Sequence, residues 1–266
     1  MQSPSGLPAA SSGSAVRLSG VTKTFGNGVQ ALGPFDLTIG AGEFVSLLGP
    51  SGCGKSTALR LIAGLTQPTS GQVQLDATQH TAQRRSIGFV FQEPTLMPWA
   101  TVWDNVYLPL RLLRRSRTDA AKRIGEALAS VGLSDFANVY PRELSGGMKM
   151  RVSLARALVT DPDILLMDEP FAALDEITRF RLNNDLLELW RRYRRTIVFV
   201  THSVFESVYL SQRVVVITPR PGRVTAEFRI EAPEPRGEEF RTSVDYVAHC
   251  RDVSAALARA SEAKAA

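Results

Sequence analysis

The chain has 266 residues, of which 44% are apolar and 21% are charged, and this ordinary balance excludes a collagen-like or low-complexity protein. Its 31 lysines and arginines exceed its 26 aspartates and glutamates, and the net charge of +5 is compatible with several kinds of anionic partner. The two cysteines, Cys53 and Cys250, cannot form a disulfide framework and lack metal-ligand spacing, so a reducing compartment is expected.

The first fifteen residues are rich in Ser, Gly, Pro and Ala, a composition that predicts a disordered tail. This segment has neither the basic start nor the apolar centre of a secretory signal. No apolar run along the chain approaches the roughly 18 residues of a membrane-spanning helix. We therefore expect a folded region that begins near Val16 and has no spanning segment.

Apolar runs of strand length alternate along the chain with segments of helical periodicity. The predicted strands lie at 16–18, 35–39, 44–48, 73–75, 87–91, 163–168, 196–201 and 213–218. The predicted helices lie at 56–64, 102–133 with an interruption at Pro109, 145–160, 175–194, 203–209 and 237–262. Because strands that alternate with helices form parallel sheets covered by helices, the fold class is predicted to be α/β with a mostly parallel sheet.

The predicted organisation is one main domain with an addition at each end. It divides into a disordered tail at 1–15, the main domain at 16–230 and a C-terminal helical extension at 231–266. Residues 93–160 contain a proline-bounded loop and helices but no predicted strand, so we interpret them as a helical insertion in the α/β core. In the extension, the apolar residues Phe240, Val244, Val247 and Leu257 are predicted to share one side of a helix.

A glycine-rich turn lies between a predicted buried strand and a predicted helix. Its residues are Gly49, Pro50, Ser51, Gly52, Cys53, Gly54, Lys55, Ser56 and Thr57. They match the phosphate-loop pattern G-x-x-x-x-G-K-[ST] in the strand–turn–helix context that this pattern requires. Backbone N–H groups of such a turn point at phosphate oxygens, Lys55 can reach the β- and γ-phosphates, and Ser56 can bind Mg²⁺. The alternative is an ordinary glycine-rich turn.

Two acidic residues close the apolar strand Ile164–Met167. Asp168 occupies the position of a metal-holding acid on a strand beside the phosphate loop. Glu169 follows it, where a carboxylate can act as general base on an attacking water. The alternative is a solvated strand end, and the phosphate loop favours the catalytic interpretation.

A second glycine pair, in Leu144-Ser145-Gly146-Gly147-Met148, precedes a predicted helix. Ser145 is predicted to cap that helix, which can be its whole role. The alternative is a second anion site at the N-terminus of the helix. Such a site becomes useful if two copies of the chain face each other and share one nucleotide.

In their order along about 16–230, these motifs resemble those of the ATP-binding subunit of an ATP-binding cassette (ABC) transporter. Besides residues 49–57, the resemblance rests on Gln92 after IGFVF, LSGGM at 144–148, ILLMDE at 164–169, AALD at 172–175 and His202 in VTHS. The resemblance implies the P-loop NTPase core of ABC ATPases, with a small antiparallel β region. Two positions depart from the common pattern: Met148 stands where many members have Gln, and Phe25 where Tyr is frequent.

The resemblance also implies roles for individual residues. It implies catalytic roles for Glu169, His202 and Gln92, and Mg²⁺ contacts for Ser56, Gln92 and Asp168. Phe25 would stack on the adenine of ATP bound at residues 49–57. Ser145, Gly146, Gly147 and Asp175 would contact the ATP held by a partner copy. ATP and Mg²⁺ are therefore the expected cofactors.

Residues 91–110 and 218–224 resemble the nitrate, sulfonate and taurine branch of bacterial importers. This implies an ATPase motor at the cytoplasmic face of the inner membrane, acting as a homodimer or paired cassette. Its implied partners are two permease subunits and, indirectly, an extracytoplasmic solute-binding protein, with no nucleic acid. The alternative is a soluble ABC ATPase in translation or repair. A non-catalytic scaffold is a third hypothesis, which the intact Lys55, Asp168, Glu169 and His202 disfavour.

Three further features have two interpretations each. Two basic runs are either solvated helix faces or contacts for anionic lipid headgroups or a membrane partner: Arg111, Arg114, Arg115, Arg117, Lys122 and Arg123, and Arg191, Arg192, Arg194 and Arg195. Trp99 either fills a small core or lies, with Leu96 and Met97, in a groove that receives a permease helix. Cys53 either has a lowered pKa at a helix N-terminus, which would make it reactive, or only fills space.

Overall fold

The computed structural model describes residues 14–75 and 86–262. The strands are β1 (Ser14–Thr24), β2 (Gln30–Gly40), β3 (Phe44–Leu48), β4 (Ser70–Leu75), β5 (Ile87–Val90), β6 (Ile164–Asp168), β7 (Thr196–Thr201), β8 (Arg213–Ile217) and β9 (Val224–Arg229). The helices are α1 (Lys55–Ile62), α2 (Val102–Leu112), α3 (Arg117–Ser130), α4 (Gly146–Leu158), α5 (Glu176–Tyr193), α6 (Val204–Leu210), α7 (Glu238–Arg241) and α8 (Val244–Glu262). None of these helices combines the length and apolar character that a membrane span needs.

The strands form two sheets. The larger sheet has the order β5-β6-β7-β3-β8-β9, and all of its pairs are parallel except β8 with β9. The smaller sheet has the order β2-β1-β4 and is antiparallel. The α/β class, the mostly parallel sheet and the small antiparallel region are therefore confirmed.

The larger sheet is buried on both faces, so its central strands carry continuous apolar runs. Successive residues of a strand point to opposite faces. Phe44 and Leu48 accordingly belong to a core with α2–α6 and α8, whereas Val45 and Leu47 belong to a core with α1 and the smaller sheet. These two cores fix the strand ends that carry the candidate site.

The interval 93–160 contains α2, α3 and α4 and no strand, as the helical insertion requires. Pro109 lies inside α2 and does not interrupt it, which corrects our expectation. Burial of Val106 and Leu110 on one face of α2 outweighs the one hydrogen bond that the proline removes. The break comes later, at Arg114, where φ is 58°.

The first two strands are longer than predicted. β1 begins at Ser14, so Ser14 and Ala15 belong to the folded region; residues 1–13 of the proposed tail lie outside the described residues. Irregular register between Leu18 and Val21 shifts the two-residue alternation, which hid the length of β1 from the sequence pattern. We did not predict β9, although its residues alternate between half-buried and exposed.

The C-terminal extension consists of α7 and α8, joined at Thr242–Ser243. The predicted apolar face is correct at two of its four residues: Phe240 is buried and Leu257 packs against the core, but Val244 and Val247 are 84% and 59% exposed. Because the chain bends between the two helices, residues on either side cannot continue one helical stripe. The buried face of α8 carries Tyr246, Cys250, Val253, Ala256 and Ala260, and it packs against α6, β8 and β9.

Candidate nucleotide-binding site

The candidate site lies where β3, β6 and β7 end. Leu48 of β3 pairs with Thr201 of β7, and Asp168 of β6 pairs with Val200 of the same strand. Parallel strands bring their carboxyl ends to one edge of a sheet, where α/β proteins bind ligands. The residues that follow these strands, Gly49, Glu169 and His202, therefore meet at this edge.

The turn at 49–54 leads directly into α1, so the predicted strand–turn–helix order is confirmed. Gly54 has φ 102°, and a Cβ there would lie 2.7 Å from the carbonyl oxygen of Ala31. Only glycine fits this conformation and close approach. Within the described part of the chain no side chain caps α1, and the first turn of α1 holds no acidic residue, so its N-terminal N–H groups can bind an anion.

Lys55 lies under the turn and is 4% exposed. Its Nζ donates hydrogen bonds to the carbonyl oxygens of Gly49 (2.8 Å) and Pro50 (3.0 Å) and lies 3.6 Å from Oε1 of Glu169. The ammonium group is thereby held beneath the turn, where it can neutralise the charge of a bound phosphate.

Ser56 and Asp168 form a hydrogen-bonded pair of side chains beside Lys55. The Ser56 hydroxyl donates a 2.7 Å hydrogen bond to Oδ1 of Asp168. Burial raises the pKa of Asp168, and the Ser56 hydrogen bond opposes that shift. A buried carboxylate next to a hydroxyl fits Mg²⁺, which prefers hard oxygen ligands and usually keeps several waters.

Glu169 connects Lys55 to His202. Its Oε2 lies 3.3 Å from Nδ1 of His202, on the side away from the lysine. Glu169 has a left-handed backbone with φ 46°, and its N–H donates to the carbonyl oxygen of Val200 at 3.0 Å. Such strained backbone is typical of functional sites, and here it aims the carboxylate between a lysine and a histidine.

A buried pair that we did not predict stands behind His202. The Thr201 hydroxyl donates to Oε2 of Glu206 at 2.6 Å and accepts from the N–H of Ser203 at 3.0 Å. Arg179 of α5 lies 3.7 Å from the other oxygen of Glu206 and donates to the carbonyl oxygen of Leu174. Ser203 and Glu206 match the capping-box pattern S-x-x-E, a signal that marks this turn in the sequence.

The loop 218–224 packs against the outside of the phosphate loop. Arg220 donates hydrogen bonds from Nε (3.2 Å) and Nη2 (3.1 Å) to the carbonyl oxygen of Gly52. A Cβ on Gly222 would lie 2.0 Å from the carbonyl oxygen of Cys53. Arg220 therefore supports the turn from outside, a role that we did not predict.

Cys53 does not have the environment of a reactive thiol. Its side chain is 1% exposed, and burial raises the pKa of the thiol although the Lys55 charge opposes that rise. The expectation of a lowered pKa is wrong because the loss of hydration outweighs the nearby positive charge. The space-filling interpretation is the one that this geometry supports.

Two predicted site residues lie at the rim, and among the described residues no hydrogen bond or ion pair joins them to the lysine, the serine or the carboxylates described above. Gln92 follows β5, whose Val90 pairs with Met167, so Gln92 is exposed at the same strand edge as Glu169. Phe25 lies in the turn between β1 and β2; it is 41% exposed, and the Lys23 ammonium lies 5.4 Å from its ring.

The residues of the second glycine pair lie at another helix N-terminus. Ser145 caps α4 by accepting from the N–H of Met148 at 3.3 Å, as predicted. Asp175 caps α5 through the N–H of Thr178, and this hydrogen bond lowers the pKa of Asp175. A Cβ on Gly147 would lie 2.6 Å from Cγ2 of Thr178, so the two helix starts are in contact. Among the described residues, no hydrogen bond or ion pair links them to the phosphate loop of the same chain.

The loop after Gln92 is held rigidly and exposes Trp99. The Asn105 side chain accepts a hydrogen bond from the backbone N–H of Met97 and donates one to the backbone carbonyl oxygen of Met97. Arg156 donates hydrogen bonds to the carbonyl oxygens of Pro94 and Thr95. Trp99 is 77% exposed, so its interpretation as a core plug is wrong.

Comparison with known proteins agrees with this geometry. Residues 32–172 match the family model described as "ABC transporter". The chain is 46% identical over 244 residues to an uncharacterised ABC transporter ATP-binding protein of Methanocaldococcus jannaschii, covering 90% of this chain and 89% of the relative. It is 41% identical over 226 residues to an aliphatic sulfonates import ATP-binding protein of Bacillus cereus, covering 84% and 89%. It is 44% identical over 205 residues to a taurine import ATP-binding protein of Roseobacter denitrificans, covering 77% and 76%.

Solved structures show the same fold. A bacterial ABC transporter cassette solved as a dimer is 38% identical, with a TM-score of 0.71 and coverage of 82% of this chain and 100% of that one. A post-hydrolysis dimer bound to ADP and phosphate is 37% identical, with the same TM-score and coverage. The fold and the phosphate-loop site define an ABC ATPase. The chain belongs to the ABC transporter family, and within that family it is an ATP-binding subunit.

Proposed function

We propose that this chain is the ATP-hydrolysing motor of a bacterial importer for sulfonates, taurine, nitrate or a similar small anionic solute. One observation carries the ATPase part: Lys55, Glu169 and His202 meet in one contact chain at the ends of β3, β6 and β7. The sulfonate and taurine import relatives support the class of solute.

In the proposed reaction, Lys55 and His202 contact the γ-phosphate of ATP, and Glu169 takes a proton from the attacking water. The water oxygen bonds to the γ-phosphorus while the bond from that phosphorus to the β–γ bridging oxygen breaks, so ADP leaves and phosphate is formed. The strained backbone of Glu169 and its contact with His202 hold the carboxylate in that position. Ser56, Asp168 and Gln92 would hold Mg²⁺, which when bound neutralises charge on the β- and γ-phosphates. Phe25 would stack on the adenine.

The second half of each ATP site would come from a second copy. Ser145, Gly146 and Gly147 present a helix N-terminus, and Asp175 presents a carboxylate of lowered pKa. Within the described residues, no hydrogen bond or ion pair joins either group to the phosphate loop of its own chain. ATP binding would close a head-to-tail dimer, and hydrolysis would reopen it. Two permease subunits and an external solute-binding protein would complete the importer at the cytoplasmic face of the inner membrane.

The test of the ATPase part is Glu169→Gln, with Glu126→Gln on the exposed face of α3 as the matched control. We expect Glu169→Gln to bind Mg-ATP normally and to hydrolyse it about 10²–10⁴ times more slowly, because the general base is lost. In size-exclusion chromatography with ATP, Glu169→Gln should then elute as a stable dimer, whereas the Glu126→Gln control should not. Hydrolysis at the control rate would contradict the role of Glu169.

The importer part needs the membrane partners. We expect the chain to co-purify with a permease and, in proteoliposomes with the matching binding protein, to drive ATP-dependent uptake of a sulfonate. An active ATPase that associates with no membrane subunit would instead favour a soluble ABC ATPase in translation or repair.

A further inference from the structure

A pocket of about 670 Å³ lies between the C-terminal half of α5 and the start of the C-terminal extension. Three arginines line it: Arg191 and Arg192 from α5, and Arg236 from the segment before α7. Glu188 and Glu238 also line the pocket, so the arginines exceed the carboxylates by one charge. None of these residues belongs to the nucleotide site.

Arg236 is a half-buried cation without a carboxylate partner within 4 Å in the described part of the chain. Its Nη1 donates to the carbonyl oxygens of Tyr209 (2.8 Å) and Ser211 (2.9 Å), which end α6. Nη1 of Arg236 therefore caps the C-terminus of α6. Across residues 14–75 and 86–262, Nε and Nη2 have no hydrogen bond, and burial lowers the pKa of this guanidinium to about 10.

The run of four arginines at the end of α5 divides into two pairs. Arg194 and Arg195 form ion pairs with Glu234 and Asp161. Arg191 and Arg192, which line the pocket, have no carboxylate within 4 Å in the part of the chain that the structure describes. A solvated helix end with favourable dipole interactions accounts for exposed arginines, but not for a third, half-buried arginine that lines the same pocket.

The extension is fastened to the helices that frame this pocket. The Arg241 guanidinium lies 3.6 Å from the ring centre of Tyr209 and 4.2 Å from that of Phe180. The Tyr209 hydroxyl donates to Oδ1 of Asn184 at 2.7 Å. Tyr209 and Asn184 both line the pocket, so its walls are formed by packed side chains.

We propose that this pocket binds a tetrahedral oxyanion, as a free phosphate or sulfate or as the phosphate group of a larger molecule. One guanidinium group can bind two oxygens of such an ion through two parallel hydrogen bonds. The Nε and Nη2 atoms of Arg236 are free to make this contact in the described part of the chain. The bound oxyanion joins α5 to the extension. This site is independent of the proposed importer function.

Sulfate is the first probe, titrated into the full chain by calorimetry at constant ionic strength, with chloride as the control salt. A non-hydrolysable ATP analogue at saturation keeps sulfate out of the phosphate loop. We expect one sulfate per chain and a rise in melting temperature, because a ligand that binds only the folded state stabilises it. No binding in the millimolar range would overturn the proposal.

The variant that tests the site is Arg191→Gln/Arg192→Gln, and its matched control is Arg111→Gln/Arg123→Gln. Both pairs remove two exposed or half-exposed charges from helices, so folding should survive in each. We expect the pocket variant to bind sulfate roughly tenfold or more weakly, and the control to bind it normally. An equal loss in both variants would show general charge attraction and overturn the site.

Arg236→Lys keeps the charge but removes the planar fork, and we expect it to lose sulfate binding as well. Flotation with phosphatidylglycerol vesicles identifies the source of the oxyanion. If the chain binds vesicles, if sulfate prevents that binding and if the pocket variant does not bind them, the natural ligand is a lipid headgroup. If the chain binds sulfate but not vesicles, the natural ligand is a soluble ion. Arg236→Lys that binds sulfate like the unmodified chain would contradict the role of its fork.

Discussion

At the scale of single residues, the site depends on a few charged groups held in fixed contacts. Lys55 contacts two carbonyl oxygens of the turn, the Cys53 sulfur at 4.0 Å and the Glu169 carboxylate at 3.6 Å. A bound phosphate would add a charge-assisted contact to this ammonium. We therefore expect the lysine to contribute to binding of the nucleotide before any chemistry.

We predict that Lys55→Ala weakens ATP affinity about ten- to a hundredfold, since a hydrogen bond to a charged group contributes about 1.5–3 kcal/mol. Titration with a fluorescent ATP analogue measures this, with Lys122→Ala on the exposed face of α3 as control. Unchanged affinity would remove Lys55 from the binding site. This variant should differ in kind from Glu169→Gln, which is expected to bind ATP and stall.

Cys53 leads to a second prediction at this scale. Because burial raises its pKa, the thiolate fraction at neutral pH is smaller than for an exposed cysteine and grows only as the pH rises through that raised value. We expect iodoacetamide to label native Cys53 slowly at pH 7.5, and unfolded chain quickly. Rapid native labelling that Mg-ATP blocks would contradict this; Cys53→Ser identifies the labelled peptide.

At the scale of elements, the turn between β7 and α6 links the histidine to α5. Thr201 bonds both Glu206 and the N–H of Ser203, which flanks His202, and Glu206 faces Arg179. Arg179 in turn bonds the carbonyl oxygen of Leu174, next to Asp175. Glu206 is thus placed to act as a positioning residue for His202.

We predict that Glu206→Ala lowers kcat about fivefold and leaves the KM for ATP unchanged, since one hydrogen bond of about 1 kcal/mol is lost. Glu206→Gln should retain most of the activity because its amide oxygen still accepts from Thr201. The measurement is steady-state ATPase kinetics with melting temperatures, and Glu126→Ala is the control. Equal kcat values for the Ala and Gln variants would indicate that the hydrogen bond does not position the histidine.

Features of the helices and strands that depend on local sequence are predictable, whereas those that depend on distant segments are not. Ser145 as the cap of α4 and the turn before Lys55 are local signals, and both were predictable. The length of β1 was not, because bulges break its alternation, and the buried face of α8 was not, because its partners α6 and β8 are distant in sequence. The contact of Glu169 with His202 depends on the register of β6 and β7, which no local pattern encodes.

At the scale of the whole molecule, the shared-site proposal requires two copies. The helix starts at Ser145 and Asp175 contact each other but not the phosphate loop of the same chain in the described structure. We predict that mixing Lys55→Ala chains with Ser145→Arg chains restores part of the ATPase activity, because each mixed dimer contains one intact composite site. Each variant alone should be nearly inactive.

The control for this mixture is the Lys55→Ala chain alone at the same total concentration, since its dimers lack Lys55 in both sites. Circular dichroism must show that Ser145→Arg still folds, since losing a cap costs about 1 kcal/mol. If native mass spectrometry detects mixed dimers and no activity returns, the two helix starts do not complete the site of the other copy.

The loop that carries Trp99 is the candidate contact through which the whole molecule passes motion to a membrane partner. Trp99 is 77% exposed on a loop that Asn105 and Arg156 hold in place, and this loop follows Gln92 at the edge of the nucleotide site. A large exposed aromatic on a rigid loop is typical of a protein contact. Leu96 and Met97, both half-buried beside it, extend the same surface.

We predict that Trp99→Ala keeps the melting temperature within about 1–2 °C, because an exposed side chain contributes little to the core, and keeps the ATPase activity of the isolated chain. Co-purification with the permease and transport in proteoliposomes should both fall. Leu113→Ala is the matched control, since Leu113 is also exposed (62%) but follows α2 away from this loop. Full membrane association and full transport by Trp99→Ala would exclude the tryptophan from the coupling surface, whereas loss in both variants would point to a broader apolar contact along the helical insertion.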